Sequence, residues 1–485
     1  MSITKLNPTR VWKNFYSLTQ IPRPSKKEGK AVLFLEKFGK NLGLETIKDE
    51  LGNVIIRKPA TPGMENRTGI ILQAHIDMVP QKNSDKVHNF ETDPIVPRIV
   101  DEWVYATGTT LGADNGMGVA VAMAVLEAKD LVHGPVEVLI TIDEETGMTG
   151  SRGLKAGILK GDILINLDSE DEGELYVGCA GGMDATATFK YKDEPTPAGY
   201  VGMKLNITGM KGGHSGMDIV LGRGNANKSL VRILLPLIKE TKARVASFEG
   251  GSLRNAIPRE SFATIAVPAA MVNAAKKLVD KHFKEIVNEL AAQEPNIKIT
   301  IEECKTPSKV IDASTTLKAV LAILACPNGV ERMSDAMDGL VETSNNLAIV
   351  KSQDGIIDVK CLMRSSVDSA KDVLAATLSA VFELAGAEVK LTGGYPGWKP
   401  NMDSAVLAIM KNVYKKMYGA EPKVKAIHAG LECGILGGTY SNWDMISCGP
   451  TIKSPHSPDE RVNIKTVEKW WNYVVEILKA APVKK

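Results

Sequence analysis

The sequence predicts an α/β protein: a discontinuous domain with a mostly parallel, helix-flanked sheet, plus one large inserted α+β domain. Three observations predict it. Apolar runs at 69–74, 136–142, 163–167 and 445–448 read as strands buried on both faces, the pattern of a parallel sheet covered by helices. Glycine- and proline-rich breaks around Gly181-Gly182 and at 393–400 enclose a stretch of different patterning. The strand-like run at 445–448 follows the second break, so the chain's last segment should complete the first domain. The division is therefore 1–182 with 396–485 for the discontinuous domain and 183–395 for the insert.

Taken in order, the first segment opens with helix-period patterns at 8–18 and 27–42. The strand at 69–74 ends at His75 and Asp77. A glycine-rich turn, Gly112-Ala113-Asp114-Asn115-Gly116, feeds the apolar run 119–128, which reads as a buried helix. The strand at 136–142 ends at Asp143-Glu144-Glu145, and the one at 163–167 at Asp168. In the insert, period-two patterns at 203–208 and 298–301 read as strands, and amphipathic helix patterns lie near 227–242, 272–292 and 369–385. The run at 445–448 is followed, after a short loop, by His456.

A chain of 485 residues with 44% hydrophobic content can bury more than one core. Lys+Arg 59 against Asp+Glu 57 leaves a formal charge of +2, which points to neither nucleic acid nor an anionic membrane surface. Six dispersed cysteines, with no C-x-x-C pair, suit free thiols in a reducing compartment. The N-terminus lacks the apolar core of a signal peptide, and no apolar stretch reaches membrane-spanning length, so a cytoplasmic protein is expected. There is no H-E-x-x-H, no G-x-S-x-G and no phosphate-binding G-x-x-x-x-G-K-[ST].

Open α/β sheets place their sites beyond the carboxyl ends of their strands. His75, Asp77, Glu144, Glu145, Asp168 and His456 all fall there. Asp114 lies instead at a helix start, where backbone donors can fix its carboxylate while it faces a cation. Singly, each has a plainer reading: a loop cap, a solvated turn, a semi-buried histidine. Their coincidence at one sheet edge suggests a metal centre. Two histidines with three or four carboxylates, and no cysteine, suit zinc, manganese or cobalt better than calcium, which takes oxygen only.

The ordered motifs His75-Ile76-Asp77, Gly112-Ala113-Asp114-Asn115-Gly116, Asp143-Glu144-Glu145-Thr146-Gly147, Asp168-Ser169-Glu170 and Pro455-His456-Ser457-Pro458 resemble those of the M20 metallopeptidases. Within that family, Leu175-Tyr176-Val177-Gly178-Cys179-Ala180-Gly181-Gly182 and His428-Ala429-Gly430-Leu431-Glu432-Cys433-Gly434 look most like the cytosolic aminoacyl-histidine (Xaa-His, non-specific) dipeptidases. The resemblance runs nearly end to end and implies roles. Asp114 would bridge two divalent metals, most suitably zinc with cobalt or manganese as alternatives. His75 and Asp168 would complete one site, and Glu145 and His456 the other. Asp77 would accept the second N–H of His75. Glu144 would be the general base for a water held between the metals, which attacks the peptide carbonyl. Adjacent residues on an extended backbone point opposite ways, so the Glu144-Glu145 pair can give one carboxylate to metal and one to water.

The resemblance also implies an inserted lid that forms a homodimer, with His214 of Lys211-Gly212-Gly213-His214-Ser215-Gly216 helping to hold the oxyanion. Asn255 and Arg364 would bind the substrate's terminal carboxylate, and Gly181-Gly182 and Gly393-Gly394 would act as hinges. The expected reaction is hydrolysis of dipeptides, Xaa-His among them. The alternatives are an aminoacylase, deacylase or tripeptidase with the same site, or a non-catalytic peptide binder, against which Glu144 argues.

Overall fold

The computed structural model describes residues 2–484 and divides into two compact units. The first comprises Met1–Gly178, Pro400–Ala426 and Leu431–Lys485; the second comprises Cys179–Lys399 and Ile427–Gly430. The short excursion at 427–430 leaves the first unit in the middle of its C-terminal segment, a detail the composition breaks do not signal.

In the first unit an eight-stranded sheet runs in the order Glu45–Lys48, Val54–Lys58, Val136–Thr141, Ile70–His75, Ile163–Asn166, Asp444–Ser447, Glu174–Cys179, Lys423–Ile427. Its four central strands, Val136–Thr141 to Asp444–Ser447, pair in parallel. Val54–Lys58 and Glu174–Cys179 join this block antiparallel, so the sheet is mixed around a parallel centre. Every residue of Ile70–His75, Val136–Thr141 and Ile163–Asn166 is buried, as continuous apolar runs require. The helix Ala113–Glu127 packs on the Ile70–His75 strand and on the helix Thr9–Thr19. It is buried along nearly its whole length, and its small Gly and Ala side chains permit close approach to the sheet. A second, four-stranded sheet orders Ile452–Lys453, Arg461–Asn463, Trp103–Ala106 and Pro97–Val100. It ties the C-terminal segment to the chain that leads into the glycine turn.

The second unit is built on a nine-stranded sheet whose strands pair antiparallel, centred on the long strands Val341–Gln353 and Ile356–Ser365. The helices Ala226–Thr241, Val272–Leu290, Ala313–Ala325 and Asp368–Leu384 share one core with it, including Leu205, Leu234, Phe248, Val320, Val359 and Phe382. Three of these helices match the amphipathic patterns; Ala313–Ala325 is the fourth.

The glycine pairs expected to act as hinges lie within strands. Gly181-Gly182 begin the strand Gly181–Lys190, with Gly182 opposite Tyr395, and Gly393-Gly394 lie in the strand Glu388–Tyr395. A Cβ on Gly181 would come within 2.5 Å of the Gly397 nitrogen, and one on Gly182 within 2.6 Å of the Tyr395 ring. These two glycines allow chains to pack closely. All six cysteines are free. Among the described residues, no helix is long and apolar enough to cross a membrane.

Candidate metal centre

The parallel centre of the first sheet delivers the candidate ligands. His75 ends its strand, Glu144 and Glu145 follow Val136–Thr141, and Asp168 follows Ile163–Asn166; His456 instead lies in the loop between Ile452–Lys453 and Arg461–Asn463 of the four-stranded sheet, not directly after Asp444–Ser447. Parallel strands end on the same edge, so the first four side chains reach one place from three strands, and the loop of the second sheet brings His456 to them. Asp114 reaches it from the start of the helix Ala113–Glu127, with non-helical backbone (φ −77°, ψ 110°).

The two oxygens of Asp114 face different partners. Oδ1 lies 3.1 Å from His75 Nε2, which is 3.2 Å from Asp168 Oδ1. Oδ2 lies 3.1 Å from His456 Nε2, which is 2.9 Å from Glu145 Oε2. Ligand atoms around one tetrahedral ion, each at about 2.0–2.2 Å from it, are roughly 3.3 Å apart. The five side chains therefore form two donor groups that share Asp114. Glu145 Oε1 is buried with no protein partner, and His75, Asp114 and Glu145 present donors within 4.8 Å of one another. The residues present fit a pair of divalent ions.

Electrostatics point the same way. Burial opposes the charge of Asp114, yet the His456 and His75 imidazoles hold its carboxyl below the usual range. Contacts with Asp114 and Glu145 lift the His456 imidazole to about 11, a measure of how strongly this arrangement draws positive charge. Burial raises Glu145 and Asp168, and nearby Asp114 adds to both. Metal binding releases such protons.

The surrounding residues hold these groups in place. Asp77 Oδ1 lies 3.3 Å from His75 Nδ1, leaving Nε2 to face the centre. Asp77 also accepts the Glu144 N–H at 3.0 Å, the Glu145 N–H at 3.2 Å and the Ser25 hydroxyl at 2.8 Å. Glu144 and Glu145 thus sit in a turn anchored by Asp77, and the turn, rather than an extended strand, sets their directions. Asp143 starts that turn with left-handed backbone (φ 53°) and accepts from Thr146 and Thr149 hydroxyls. His456 is likewise left-handed (φ 59°), a conformation non-glycine residues adopt at a cost and one that clusters at functional sites. Asn115 donates to Leu167 O at 2.9 Å and to Asp168 Oδ1, fixing that carboxylate. Burial pushes the Glu144 carboxyl well above the usual range, and Asp168, Glu432 and Glu145 add to the rise.

Sequence reasoning gave no role to three buried ionisable residues here, although Glu432 lies in one of the quoted motifs. Glu460 accepts backbone N–H groups from the turn 111–114. Arg23 donates to Ile76 O, Asp77 O and Gly112 O at 2.7, 3.2 and 2.5 Å. Glu432 accepts from Gln73 at 2.5 Å and Thr141 at 2.8 Å, and burial pushes its carboxyl up to about 7. The only signal for Glu460 was its place four residues after His456.

The remaining candidates lie in the second unit. His214 is in the short strand Gly213–His214, paired with Ala256–Ile257, and Ser215 N–H donates to Asn255 O at 2.8 Å. Asn255 is exposed. His214 Nδ1 accepts the N–H groups of Gly216 and Met217 at 3.2 and 3.1 Å, which leaves the ring proton on Nε2. Burial and the nearby Arg364 push this imidazole down, favouring its neutral form. Arg364 is buried, with Nε 3.3 Å from Ser215 Oγ and Nη1 3.4 Å from the Tyr395 hydroxyl.

Comparison with known proteins adds context. The sequence pattern of peptidase family M20/M25/M40 matches residues 71–480. The cytosol non-specific dipeptidase of Escherichia coli (strain K12) is 46% identical over 482 residues, 99% of each chain. The crystal structure of an aminoacylhistidine dipeptidase from Vibrio alginolyticus matches with a TM-score of 0.95 at 49% identity, covering 100% of this chain and 99% of that one. A tripeptidase from Staphylococcus aureus shares the fold at 18% identity, with a TM-score of 0.57 over 98% of this chain and 99% of that one.

Proposed function

Because the chain belongs to peptidase family M20/M25/M40, we propose that it is a two-metal dipeptidase that hydrolyses Xaa-His and other dipeptides with a free C-terminal carboxylate. The observation that carries this reading is the division of donors around Asp114, one histidine and one carboxylate on each of its oxygens. His75 and Asp168 with Asp114 would hold one ion, and His456 and Glu145 with Asp114 the other; zinc suits these donors best, then cobalt or manganese. Bound there, the ions would polarise the scissile carbonyl and acidify the attacking water.

The chain's own residues do the rest. Glu144 takes the water's proton and returns it to the leaving amine, and the environment that raises its proton affinity suits a group that must do both. Asp77 holds Glu144 through its backbone N–H and orients His75. His214 offers its Nε2–H to the oxygen on which charge develops. Arg364, with Asn255, receives the substrate's carboxylate, where a guanidinium can meet two oxygens at once. The second unit would also carry the contact of a homodimer.

The test is hydrolysis of a panel of dipeptides, tripeptides and N-acyl amino acids by metal-reconstituted protein and its Glu144→Gln variant. The expected result is cleavage of dipeptides by the wild type and a variant that keeps two ions but loses at least ~100-fold in kcat. Preference for N-acyl amino acids or tripeptides would overturn the substrate assignment, and near wild-type turnover by the variant would overturn the role of Glu144.

A further inference from the structure

Glu460 receives four consecutive backbone amides. Its Oε2 accepts the N–H groups of Leu111 at 2.7 Å and Gly112 at 2.9 Å; its Oε1 accepts those of Ala113 at 2.7 Å and Asp114 at 3.2 Å. Successive amides converging at the start of a helix form an anion-binding nest, and here the anion is part of the protein. The residue is 1% exposed, so water cannot substitute for it. Arg23, also 1% exposed, holds the same turn from its carbonyl side through Gly112 O at 2.5 Å.

Glu460 lies in the loop between Ile452–Lys453 and Arg461–Asn463, four residues after His456. The loop therefore meets the Asp114 turn twice. Glu460 takes its backbone, and His456 Nε2 meets the Asp114 side chain at 3.1 Å. Two candidate ligands 342 residues apart in sequence are held to one another through this carboxylate. Binding constellations need their ligands within about 0.5 Å of the productive position, and residues behind the ligands set that precision.

We propose that Glu460 is a positioning residue that fixes Asp114 relative to His456 and so sets the metal affinity of the centre, touching neither metal nor substrate itself. The inference rests on Asp114 being the shared ligand. The test compares wild type, Glu460→Gln and Glu460→Asp as full-length protein. Metal affinity is measured by competition with a chromogenic zinc chelator, geometry by the visible spectrum of the cobalt-loaded protein, and folding by far-UV circular dichroism and thermal unfolding without metal. Gln has one carbonyl oxygen for four amides and turns an NH2 group toward two of them. Its zinc affinity should fall at least ~10-fold at one site, with an altered cobalt spectrum and a retained fold, and Asp should restore part of the loss.

Wild-type affinity and spectrum in folded Glu460→Gln, with only the unfolding temperature lowered, would reduce Glu460 to a structural role and overturn the proposal. If the Gln variant does not fold, the same readings on Glu460→Asp decide. Asp114→Asn, measured alongside, separates the two levels. Two ions bound at wild-type affinity in that variant would remove the shared ligand itself, whereas loss there without loss at Glu460 would overturn only this inference.

Discussion

Replacing Asp114 with Asn tests the shared ligand with almost no change of shape. One oxygen becomes an NH2 group and one negative charge is lost. Oδ1 serves the group of His75 and Asp168, and Oδ2 serves that of His456 and Glu145, at contact distances of 2.9–3.2 Å. An amide nitrogen has no lone pair to give a metal, so the group it faces is left with two protein donors. The other group keeps three but loses a negative charge. Loss of even an outer hydrogen-bond partner of a metal ligand costs about 10–100-fold in affinity, so loss of a direct donor should cost one site at least ~100-fold. Protein stripped of metal, titrated with zinc by calorimetry and checked by elemental analysis, should pass from two tightly bound ions to one. Turnover of a dipeptide should fall with the second ion. Two ions bound with wild-type affinities would show that Asp114 does not bridge, and the division of ligands argued from its two oxygens would fail with it.

Three further outcomes are expected. Arg364→Ala should narrow the gap in kcat/KM between a dipeptide and its C-terminal amide; equal cleavage of both forms by the wild type would remove the carboxylate clamp. His428 is buried, and burial together with Arg364 pushes its imidazole down to about 3, against about 6.5 in an unfolded chain. The unfolded chain thus binds the extra proton, so this contribution is full above pH 6.5 and is lost as pH falls toward 3, by a few kcal/mol on the order of 1.4 per pH unit. Denaturant midpoints of the metal-free protein between pH 7.5 and 5 should fall more steeply for wild type than for His428→Gln, and parallel curves would refute this. Gly112→Ala places a Cβ 2.6 Å from Arg23 Nη2 at φ +69°, and Arg23 is held by three carbonyls. It should destabilise the protein by at least ~1–2 kcal/mol and weaken metal binding, as thermal unfolding and zinc titration would report; an unaffected variant would show that the turn has slack.

Much of this architecture was legible in local patterning. A strand buried on both faces must be apolar throughout, so 69–74, 136–142 and 163–167 declared themselves, and with them the edge at which His75, Glu144, Glu145 and Asp168 emerge. The antiparallel strands that flank this parallel centre were not legible, because pairing direction depends on which distant strand arrives next to an edge. Ala313–Ala325 escaped because apolar residues run round the helix, with Leu321 and Leu324 exposed, so its buried face does not stand out in the sequence. Composition marks glycine pairs only as sites of conformational freedom, so it did not reveal that Gly181 and Gly182 sit where neighbouring chains leave no room for a Cβ.

The sequence by itself determined which residue types could make a metal centre, and in what order along the chain they come. Only the tertiary structure decided how they divide. That Asp114 turns one oxygen to His75 and the other to His456, that Asp77 anchors the Glu144–Glu145 turn, and that Glu460 gathers the amides at 111–114 are relations between residues 39 to 349 positions apart. A buried carboxylate needs donors and a buried amide needs an acceptor, but the sequence names neither partner. Pairing of the strands and docking of the loop that carries His456, through its buried Glu460, bring them within reach, and the low local dielectric around the buried groups then makes each unpaired alternative costly.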